Sequence, residues 1–234
     1  MRIERYNEFL TKEYLMGPNS LRLLDELLSH VPETVCGRVL DLGCGMAVTS
    51  LFLARETAAD TVYAADLWIT ATDNYARIRQ WGEERRIIPL HSDACDLPFA
   101  DGYFRAIVSV DAYHYFGCRD GFFAEKMLPL LESGGYALIA IPGLKREFTD
   151  GIPELMTEWA EDDALCFHSA QWWKAHISQG VENADVYVCE SEQFDAIWND
   201  WFRSGHEYAA NDREYLERGV ADMLSFIFIV VRKH

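Results

Sequence analysis

Gly43 and Gly45 stand where a ligand could approach the backbone closely. They follow a short apolar run at 38–42 and precede a helical pattern at 48–54. Glycine has no Cβ, so it permits unusual backbone dihedrals and close contact with a bound molecule. An ordinary tight turn between strand and helix is the alternative interpretation, and a lone Gly-x-Gly would favour it. Acidic residues after later apolar runs favour the ligand site.

Three of these acids are Asp66, Asp93 and Asp111. An acid after the second strand of such a fold can accept hydrogen bonds from both ribose hydroxyls of a nucleoside. Asp93, with the Ala94 backbone beside it, is suited to accept from an exocyclic amine such as adenine N6. Each acid alone has an alternative: Asp66 could cap the next helix, Asp93 could form an Asx turn, and Asp41 could steady the glycine turn. Because Asp66, Asp93 and Asp111 each come just after a predicted strand, all three would lie at the same edge of a parallel sheet. We therefore predict one nucleoside site there.

The elements that must position these residues alternate between strand and helix. Apolar runs predict strands at 38–42, 61–65, 86–91, 106–110, 136–141, 185–189 and 224–231. Helical patterns cover 48–54, 70–81, 121–131, 170–179 and 191–219. This alternation predicts an α/β fold with a doubly wound parallel sheet, which binds ligands at the carboxyl ends of its strands. Pro89 places the third strand at a sheet edge, and Pro142 and Gly143 are expected to end the fifth.

Two further helices are predicted before the first strand, at 6–14 and after Asn19, which is suited to cap the second. The second helix carries an apolar face formed by Leu21, Leu24, Leu27 and Leu28. These helices exceed what the sheet needs. Tyr14 and Met16 are therefore candidates to close over the site as a lid.

Length and composition bound the classes of function. The 234 residues fit one α/β domain, and 50% of them are hydrophobic, which suffices for a sizeable core. A net charge of −17, from 38 acidic and 21 basic residues, repels phosphate backbones and anionic membranes. We therefore expect neither nucleic acid nor a membrane as a partner. No apolar run approaches a membrane span, and the first residues lack the pattern of a signal peptide.

The cysteines and histidines show no pattern of metal ligands or disulfides. Six cysteines are scattered singly, without a Cys-x-x-Cys pair, and the seven histidines have no ligand-like spacing with cysteines or acids. The sequence thus predicts no metal, no disulfide framework and a reducing, cytoplasmic location.

Residues 38–142 resemble the class I S-adenosylmethionine-dependent methyltransferases that act on small molecules. Asp41-Leu42-Gly43-Cys44-Gly45 is similar to their first motif, (Asp/Glu)-x-Gly-x-Gly-x-Gly, with Ala47 in place of the third glycine. Asp96-Leu97-Pro98-Phe99 and the later Phe104-Arg105-Ala106-Ile107-Val108 resemble a second signature, with Arg105 where an acid is usual. The turn Leu130-Leu131-Glu132-Ser133-Gly134-Gly135-Tyr136 is similar to the one that leads into their fifth strand.

The resemblance implies a seven-stranded Rossmann-like sheet whose last strand is antiparallel and lies beside the fifth. It implies S-adenosyl-L-methionine as the cofactor and S-adenosyl-L-homocysteine as the product, with the glycine turn carrying the methionine part. Asp66 would then bind the ribose, Leu67 would lie beside the adenine, and Asp93 would contact its edge. The residues expected to bind the cofactor are Asp41, Gly43, Cys44, Gly45, Asp66, Leu67, Asp93, Ala94 and Asp111.

A dinucleotide-binding dehydrogenase is the competing interpretation of the glycine turn. Those enzymes favour Gly-x-Gly-x-x-Gly, but Val48 occupies the position of the third glycine here. Asp93 and Asp111 further favour methyl transfer over an NAD-dependent oxidoreductase. A non-catalytic module that binds S-adenosylmethionine for regulation or assembly is the other alternative.

The candidate catalytic residues follow the fourth strand. His114 is the one residue there whose ordinary pKa lies near neutrality, so it is the candidate base. The alternative is that it shapes the pocket or contacts the amino-acid end of the cofactor. Tyr113 is the second candidate, as a residue that orients the acceptor. Tyr115 could do the same, and either tyrosine could belong to the core.

Residues 144–170 and 191–219 are predicted insertions that form a helical cap over the acceptor. They are rich in aromatic residues, which at helical spacing usually build the core of an insertion. The stretch 147–163 carries seven acidic residues and no basic one. Acids beside aromatic rings suit a cationic amine acceptor, whereas a solvated acidic face is the alternative.

Together these features predict a single methyltransferase domain over 1–234. It comprises an N-terminal helical cap at 1–36, a cofactor-binding core at 37–143 and the two insertions. The expected protein is a monomeric or homodimeric enzyme that methylates a small molecule. The acceptor stays open, as does the choice of N, O, S or C, because a fold does not determine its substrate.

Overall fold

In residues 2–234, the part of the chain that the computed structural model describes, seven strands form one sheet in the order β3-β2-β1-β4-β5-β7-β6. All pairs among the first five strands are parallel, namely β1 with β2, β1 with β4, β2 with β3 and β4 with β5. Strand β7 runs antiparallel to both of its neighbours, β5 and β6. The predicted Rossmann-like sheet with its antiparallel last strand is confirmed. The strands are β1 Cys36–Leu42, β2 Ala58–Asp66, β3 Ile87–His91, β4 Phe104–Val110, β5 Leu131–Leu144, β6 Ala184–Glu190 and β7 Leu224–Lys233.

Helices flank the sheet and fill the connections. Asn19 caps the first helix as predicted, since its side-chain oxygen accepts from the backbone N–H groups of Leu21 and Arg22, each at 3.1 Å. The α-helices are α1 Ser20–Leu27, α2 Val48–Glu56, α3 Ala71–Gln80, α4 His114–Gly117, α5 Glu154–Ala160, α6 Ala170–Ile177, α7 Phe194–Arg203, α8 Glu207–Tyr215 and α9 Ala221–Met223. Shorter 3-10 segments are Arg2–Phe9, Leu28–His30 and Glu161–Cys166, and π-helical turns are Phe123–Met127 and Leu216–Val220.

Two apolar cores lie on opposite faces of the sheet. Successive residues of a strand point to opposite sides, so the continuous apolar run of β7 serves both cores. On the side of α1, α2 and α7 the strand buries Phe226, Phe228 and Val230. On the side of α6 it buries Ile227, Ile229 and Val231. The doubly wound arrangement follows from these two buried faces.

The fifth strand does not end at Pro142 and Gly143, so that prediction is wrong. Both residues pair with β7, opposite Phe226 and Ser225. The Ala140 carbonyl still accepts from the Asp111 N–H on the β4 side. Two residues later the Pro142 nitrogen points to the same side, where β4 has already ended. The missing N–H therefore costs no ladder bond.

Two predicted helices also differ from the structure. The pattern at 121–131 forms only the π-helical turn Phe123–Met127, and β5 already begins at Leu131. The pattern at 6–14 gives way to the 3-10 segment Arg2–Phe9. That segment is docked by tertiary contacts, because the Arg2 Nε donates to Asp25 Oδ1 at 2.6 Å and the Tyr6 hydroxyl donates to Glu56 at 2.7 Å. Such contacts override local helix propensity.

The edge position of the third strand is confirmed. β3 pairs only with β2, and Pro89 lies opposite Ala64 in that pair. Among the described helices, none combines the length and the apolar character that a bilayer crossing requires.

Candidate functional site

A cavity of about 270 Å³ opens at the carboxyl ends of β1, β2 and β4. The chain leaves β1 toward β2 on one side and later returns to place β4 on the other, so the strand order reverses here. Open α/β sheets bind their ligands at this point. The lining residues fall within 14–20, 42–49, 65–68, 92–94 and 110–116.

The glycine loop after β1 forms the floor of the cavity. The N–H groups of Gly43 and Cys44 both donate to the Ala65 carbonyl, at 2.8 and 3.1 Å, which ties the loop to the end of β2. Gly43 has a φ of +75°, and a Cβ there would overlap the Cβ of Ala112. This position therefore requires glycine both for its dihedral and for its close approach to β4.

Asp66 connects the end of β2 to the same loop. Its Oδ2 accepts from the Gly45 N–H at 2.8 Å, and its Oδ1 accepts from the N–H groups of Trp68 and Ile69 at 2.8 Å each. A carboxylate offers about four acceptor positions. The three backbone bonds leave room for a ligand hydroxyl, so the turn-forming alternative and the ligand role are compatible.

Asp41 lies beneath the loop and does not line the cavity. Its Oδ2 accepts from the hydroxyls of Thr49 and Ser50 at 2.7 and 2.6 Å, while its buried Oδ1 has no hydrogen-bond partner in the described chain. Burial, opposed by these two hydrogen bonds, raises the pKa of Asp41 to about 6. The structure places this acid where it steadies the start of α2; direct contact with a cofactor stays a prediction.

Three predicted adenine-side residues, Leu67, Asp93 and Ala94, line the cavity together. Asp93 Oδ1 accepts from the Cys95 N–H at 2.8 Å, which is the Asx turn considered as the alternative. The Cys95 thiol also hydrogen-bonds the Asp93 carboxylate. Leu67 is 53% exposed and lies at the mouth.

Asp111 adopts a left-handed backbone conformation with a φ of +56° at the end of β4. Its carboxylate lines the cavity beside Gly17, where an added Cβ would lie 2.6 Å from Asp111 Oδ2. Within residues 2–234 no donor bonds this carboxylate. Burial, followed by the negative charge of Asp212, raises its pKa to about 7. An unpaired acid in a strained conformation is typical of a functional site.

The structure does not bring the two predicted catalytic residues into the cavity. Tyr113 and His114 are 0% and 2% exposed, and neither lines the cavity. Burial lowers the pKa of His114 to about 3, so its imidazole is neutral at physiological pH. The cavity is instead lined by Tyr115 and Phe116. A catalytic role for Tyr113 or His114 therefore stays a prediction that the geometry does not favour.

Tyr115 is the residue that sequence reasoning underrated. Tyr115 belongs to the short helix α4 and lines the cavity together with Asp111, which lies outside that helix in a left-handed conformation. Because the two residues do not share a helix, their spacing in the sequence gives no signal that selects Tyr115 over His114. The Tyr115 ring lies 5.4 Å from that of Trp68, which also lines the cavity and was not predicted.

Tyr14 and Met16, the predicted lid residues, both line the cavity. Met16 Sδ would be 3.1 Å from a Cβ at Gly45, so it covers the glycine loop directly. Met16 is 46% exposed. A half-exposed side chain over the loop fits the predicted lid, which stays a proposal.

The first insertion contacts the wall of the cavity from outside, because the Tyr115 hydroxyl donates a hydrogen bond to the Asp163 carboxylate. No residue of 144–170 or 191–219 is among the described residues that line the cavity. A series of ring contacts connects Tyr115 to His114 at 4.0 Å, His114 to Phe167 at 5.8 Å and Phe167 to Trp159 at 5.9 Å. The aromatic residues of the insertions thus build their own core, and their role as an acceptor cap stays a prediction.

Asp212 joins the two insertions. Its carboxylate accepts from the indole N–H groups of Trp159 and Trp201, at 2.9 and 2.7 Å. No group of three or more His, Cys, Asp or Glu in the described part of the chain is arranged to hold a metal ion.

Known methyltransferases resemble this chain in sequence. A family model described as "Methyltransferase domain" matches residues 39–135, which include the glycine loop and the acids after β2, β3 and β4. The chain is 32% identical over 120 residues to methyltransferase GfsG of Streptomyces halstedii, covering 51% of this chain and 42% of that protein. It is 29% identical over 186 residues to a fatty-acid O-methyltransferase of Mycolicibacterium smegmatis, covering 77% of this chain and 62% of that protein. The chain thus spans less than two thirds of either relative.

The fold has solved counterparts at low sequence identity. A phosphoethanolamine N-methyltransferase 2 of Haemonchus contortus, solved with phosphomonomethylethanolamine and S-adenosylhomocysteine, superposes with a TM-score of 0.76 at 18% identity. The superposition covers 94% of this chain and 54% of that one.

Proposed function

We propose that this chain, which belongs to the class I S-adenosylmethionine-dependent methyltransferases, transfers the methyl group of S-adenosyl-L-methionine to a small-molecule acceptor. One observation carries the proposal: the Asp66 carboxylate holds Gly45 at the floor of a cavity that Asp93 and Asp111 also line. The family match over residues 39–135 supports it. The names of the relatives include both an O- and an N-methyltransferase, so they do not select the acceptor atom.

The residues present fit the cofactor. The backbone of Gly43 and Gly45 at the floor of the cavity would receive the methionine part, and the remaining acceptor position on Asp66 would bind a ribose hydroxyl. A remaining acceptor position on the Asp93 carboxylate would accept from the adenine amine, with the Leu67 side chain against the ring. These are the positions at which the sequence predicted the contacts.

The cofactor supplies a methyl carbon on a cationic sulfur, which an acceptor lone pair attacks in line while the carbon–sulfur bond breaks and its electron pair stays on sulfur. The chain positions the acceptor and excludes water. Met16 covers the glycine loop, Tyr14 lines the same cavity, and Trp68 and Tyr115 form an aromatic wall. Asp111 is the acid in the cavity whose pKa, raised to about 7, suits it to take a proton at neutral pH.

We also propose a small acceptor and a cytoplasmic location. The cavity of about 270 Å³, which the acceptor would share with the cofactor, lies just below the range of roughly 300–1,000 Å³ typical of ligand pockets, so it leaves room only for a small acceptor. All six cysteines are free in the structure, in keeping with a reducing compartment. A monomer or a homodimer is the expected assembly.

Transfer of label from methyl-labelled S-adenosylmethionine tests the function. The chain is incubated with labelled cofactor and a small-molecule extract, and labelled products are separated by mass. We expect one labelled product class with the wild type and with Asp60→Ala, a distant exposed acid, and none with Asp66→Ala. Cofactor binding without label transfer would leave a non-catalytic binding module, and binding of NAD instead would indicate an oxidoreductase.

A further inference from the structure

We propose that the methyl acceptor is a cationic amine and that Asp111 is its counter-ion, with the rings of Tyr115 and Trp68 beside it. The inference rests on the proposed function and names the class of acceptor that the same cavity selects. It assigns Asp111 to the acceptor, whereas the sequence had placed it among the cofactor ligands.

The charge of the cavity wall is the first observation. Of the described lining residues, three are carboxylates, Asp66, Asp93 and Asp111, and none is Lys, Arg or His. A carboxylate or phosphate acceptor would enter beside like charges without a cation to offset its desolvation. An ammonium group would instead be attracted. The wall therefore favours a cation and disfavours an anion.

The second observation distinguishes Asp111 from the other two acids. Asp66 accepts three backbone N–H bonds and Asp93 accepts one, but no group in the described chain donates to Asp111. Its carboxylate is instead placed next to Gly17, and it lines the cavity together with Tyr115. A partly buried carboxylate that lacks donors is stabilised most by a positively charged ligand.

Further negative charges face this end of the cavity. Burial, followed by the charges of Asp111 and Asp163, raises the pKa of Tyr115, and Asp212 acts in the same direction on the pKa of Asp111. Asp163 belongs to the acidic stretch of the first insertion, which carries no basic residue between 147 and 163. The negative charge around Asp111 and Tyr115 therefore includes one acid from each insertion, which steers cations toward this end of the cavity.

The aromatic wall completes the site. Trp68 and Tyr115 have ring centroids 5.4 Å apart, with 59° between their planes, and both rings line the cavity. An ammonium group over the face of either ring would gain cation–π attraction. Before it attacks a methyl carbon, the amine nitrogen must release one proton to free its lone pair. The Asp111 carboxylate is in the cavity to receive that proton.

Three ligands with one skeleton test the inference: hexylamine, hexan-1-ol and hexanoate. Each is titrated into the full chain saturated with S-adenosylhomocysteine, and N-methylhexylamine is sought by mass spectrometry after incubation with S-adenosylmethionine. We expect hexylamine to bind at least about tenfold more tightly than the other two and to be methylated. Asp111→Asn should lose about tenfold in hexylamine affinity while retaining its affinity for S-adenosylhomocysteine. Asp60→Asn, the same change at an exposed acid, should retain both.

Equal or tighter binding of hexanol or hexanoate would overturn the inference. So would an Asp111→Asn variant that binds hexylamine as the wild type does. Loss of S-adenosylhomocysteine binding in Asp111→Asn, with hexylamine binding intact, would return this acid to the cofactor. If the wild type fails to bind S-adenosylhomocysteine, the proposed function itself fails, and the amine inference falls with it.

Discussion

The Asp66 carboxylate accepts a hydrogen bond from the Gly45 N–H at 2.8 Å, so the end of β2 holds the loop that follows β1. The same carboxylate is the group proposed to bind the ribose. One side chain thus sets the shape of the glycine loop and offers an acceptor to the ligand. The loop and the nucleoside end of the cavity are therefore expected to change together when Asp66 is altered.

Gly43→Ala tests the close approach of the glycine loop to β4. Gly43 and Gly82 have φ values of +75° and +74°, but an added Cβ overlaps Ala112 at Gly43 and meets nothing within 4 Å at Gly82. Gly82→Ala should cost about 1–2 kcal/mol of unfolding free energy from backbone strain alone. Gly43→Ala should cost about 1–3 kcal/mol more and weaken cofactor binding. Equal losses in urea unfolding would contradict the close approach.

Ala47→Gly tests the departure from the family motif. Ala47, which replaces the third glycine, has a left-handed φ of 62°. Glycine there should relieve strain of about 1–2 kcal/mol, partly offset by a greater loss of entropy on folding. We expect a neutral to stabilising change of up to about 1 kcal/mol. The same substitution at Ala54, inside α2, should destabilise by about 1 kcal/mol. If Ala47→Gly lowers the free energy of unfolding, the left-handed backbone of Ala47 is not strained.

Asp41 should make stability depend on pH. Its folded pKa of about 6 lies above the ordinary value of 3.8. Between these values the folded state binds more protons than the unfolded state, so the free energy of unfolding falls as the pH rises from about 4 to about 6. The fall amounts to about 3 kcal/mol. The free energy of unfolding, measured by urea titration at each pH, should fall less over this range in Asp41→Asn than in the wild type. In Asp60→Asn it should fall as in the wild type. If the pH dependence of the free energy of unfolding is the same in Asp41→Asn and in the wild type, Asp41 does not have a raised pKa in the folded state.

His114 should not act as the base. Because burial lowers its pKa to about 3, His114 should contribute no inflection to the rate of methyl transfer, and an inflection near pH 7 should come from Asp111. His114→Asn is expected to lower stability and to leave the shape of the pH–rate profile unchanged. An inflection near 6.5 that disappears in His114→Asn would restore the histidine as the catalytic base.

The sheet and its cofactor end were predictable because local patterns determine them. Short apolar runs mark the strands, and an acid or a glycine follows several of them. Once the strands are parallel, these residues lie together at the same edge of the sheet. Gly43, Gly45, Asp66 and Asp93 could therefore be placed from the sequence, and all four line the cavity.

The acceptor end depends on contacts that no local pattern encodes. The ordinary pKa of histidine made His114 the predicted base. In the short helix α4, however, the His114 side chain points into the core and that of Tyr115 points into the cavity. Asp212 meets Trp159 across 53 residues of sequence. The pairing of Pro142 with β7 likewise depends on where β4 ends, which the residues around Pro142 do not reveal.

Isothermal titration with S-adenosylhomocysteine, with NAD as the control ligand, tests the central claim most directly. The wild type and Asp60→Ala should bind one equivalent of S-adenosylhomocysteine and no NAD, and Asp66→Ala should lose at least about tenfold in affinity. Binding of NAD alone, or an unchanged affinity in a folded Asp66→Ala variant, would contradict the assignment of this cavity to the cofactor.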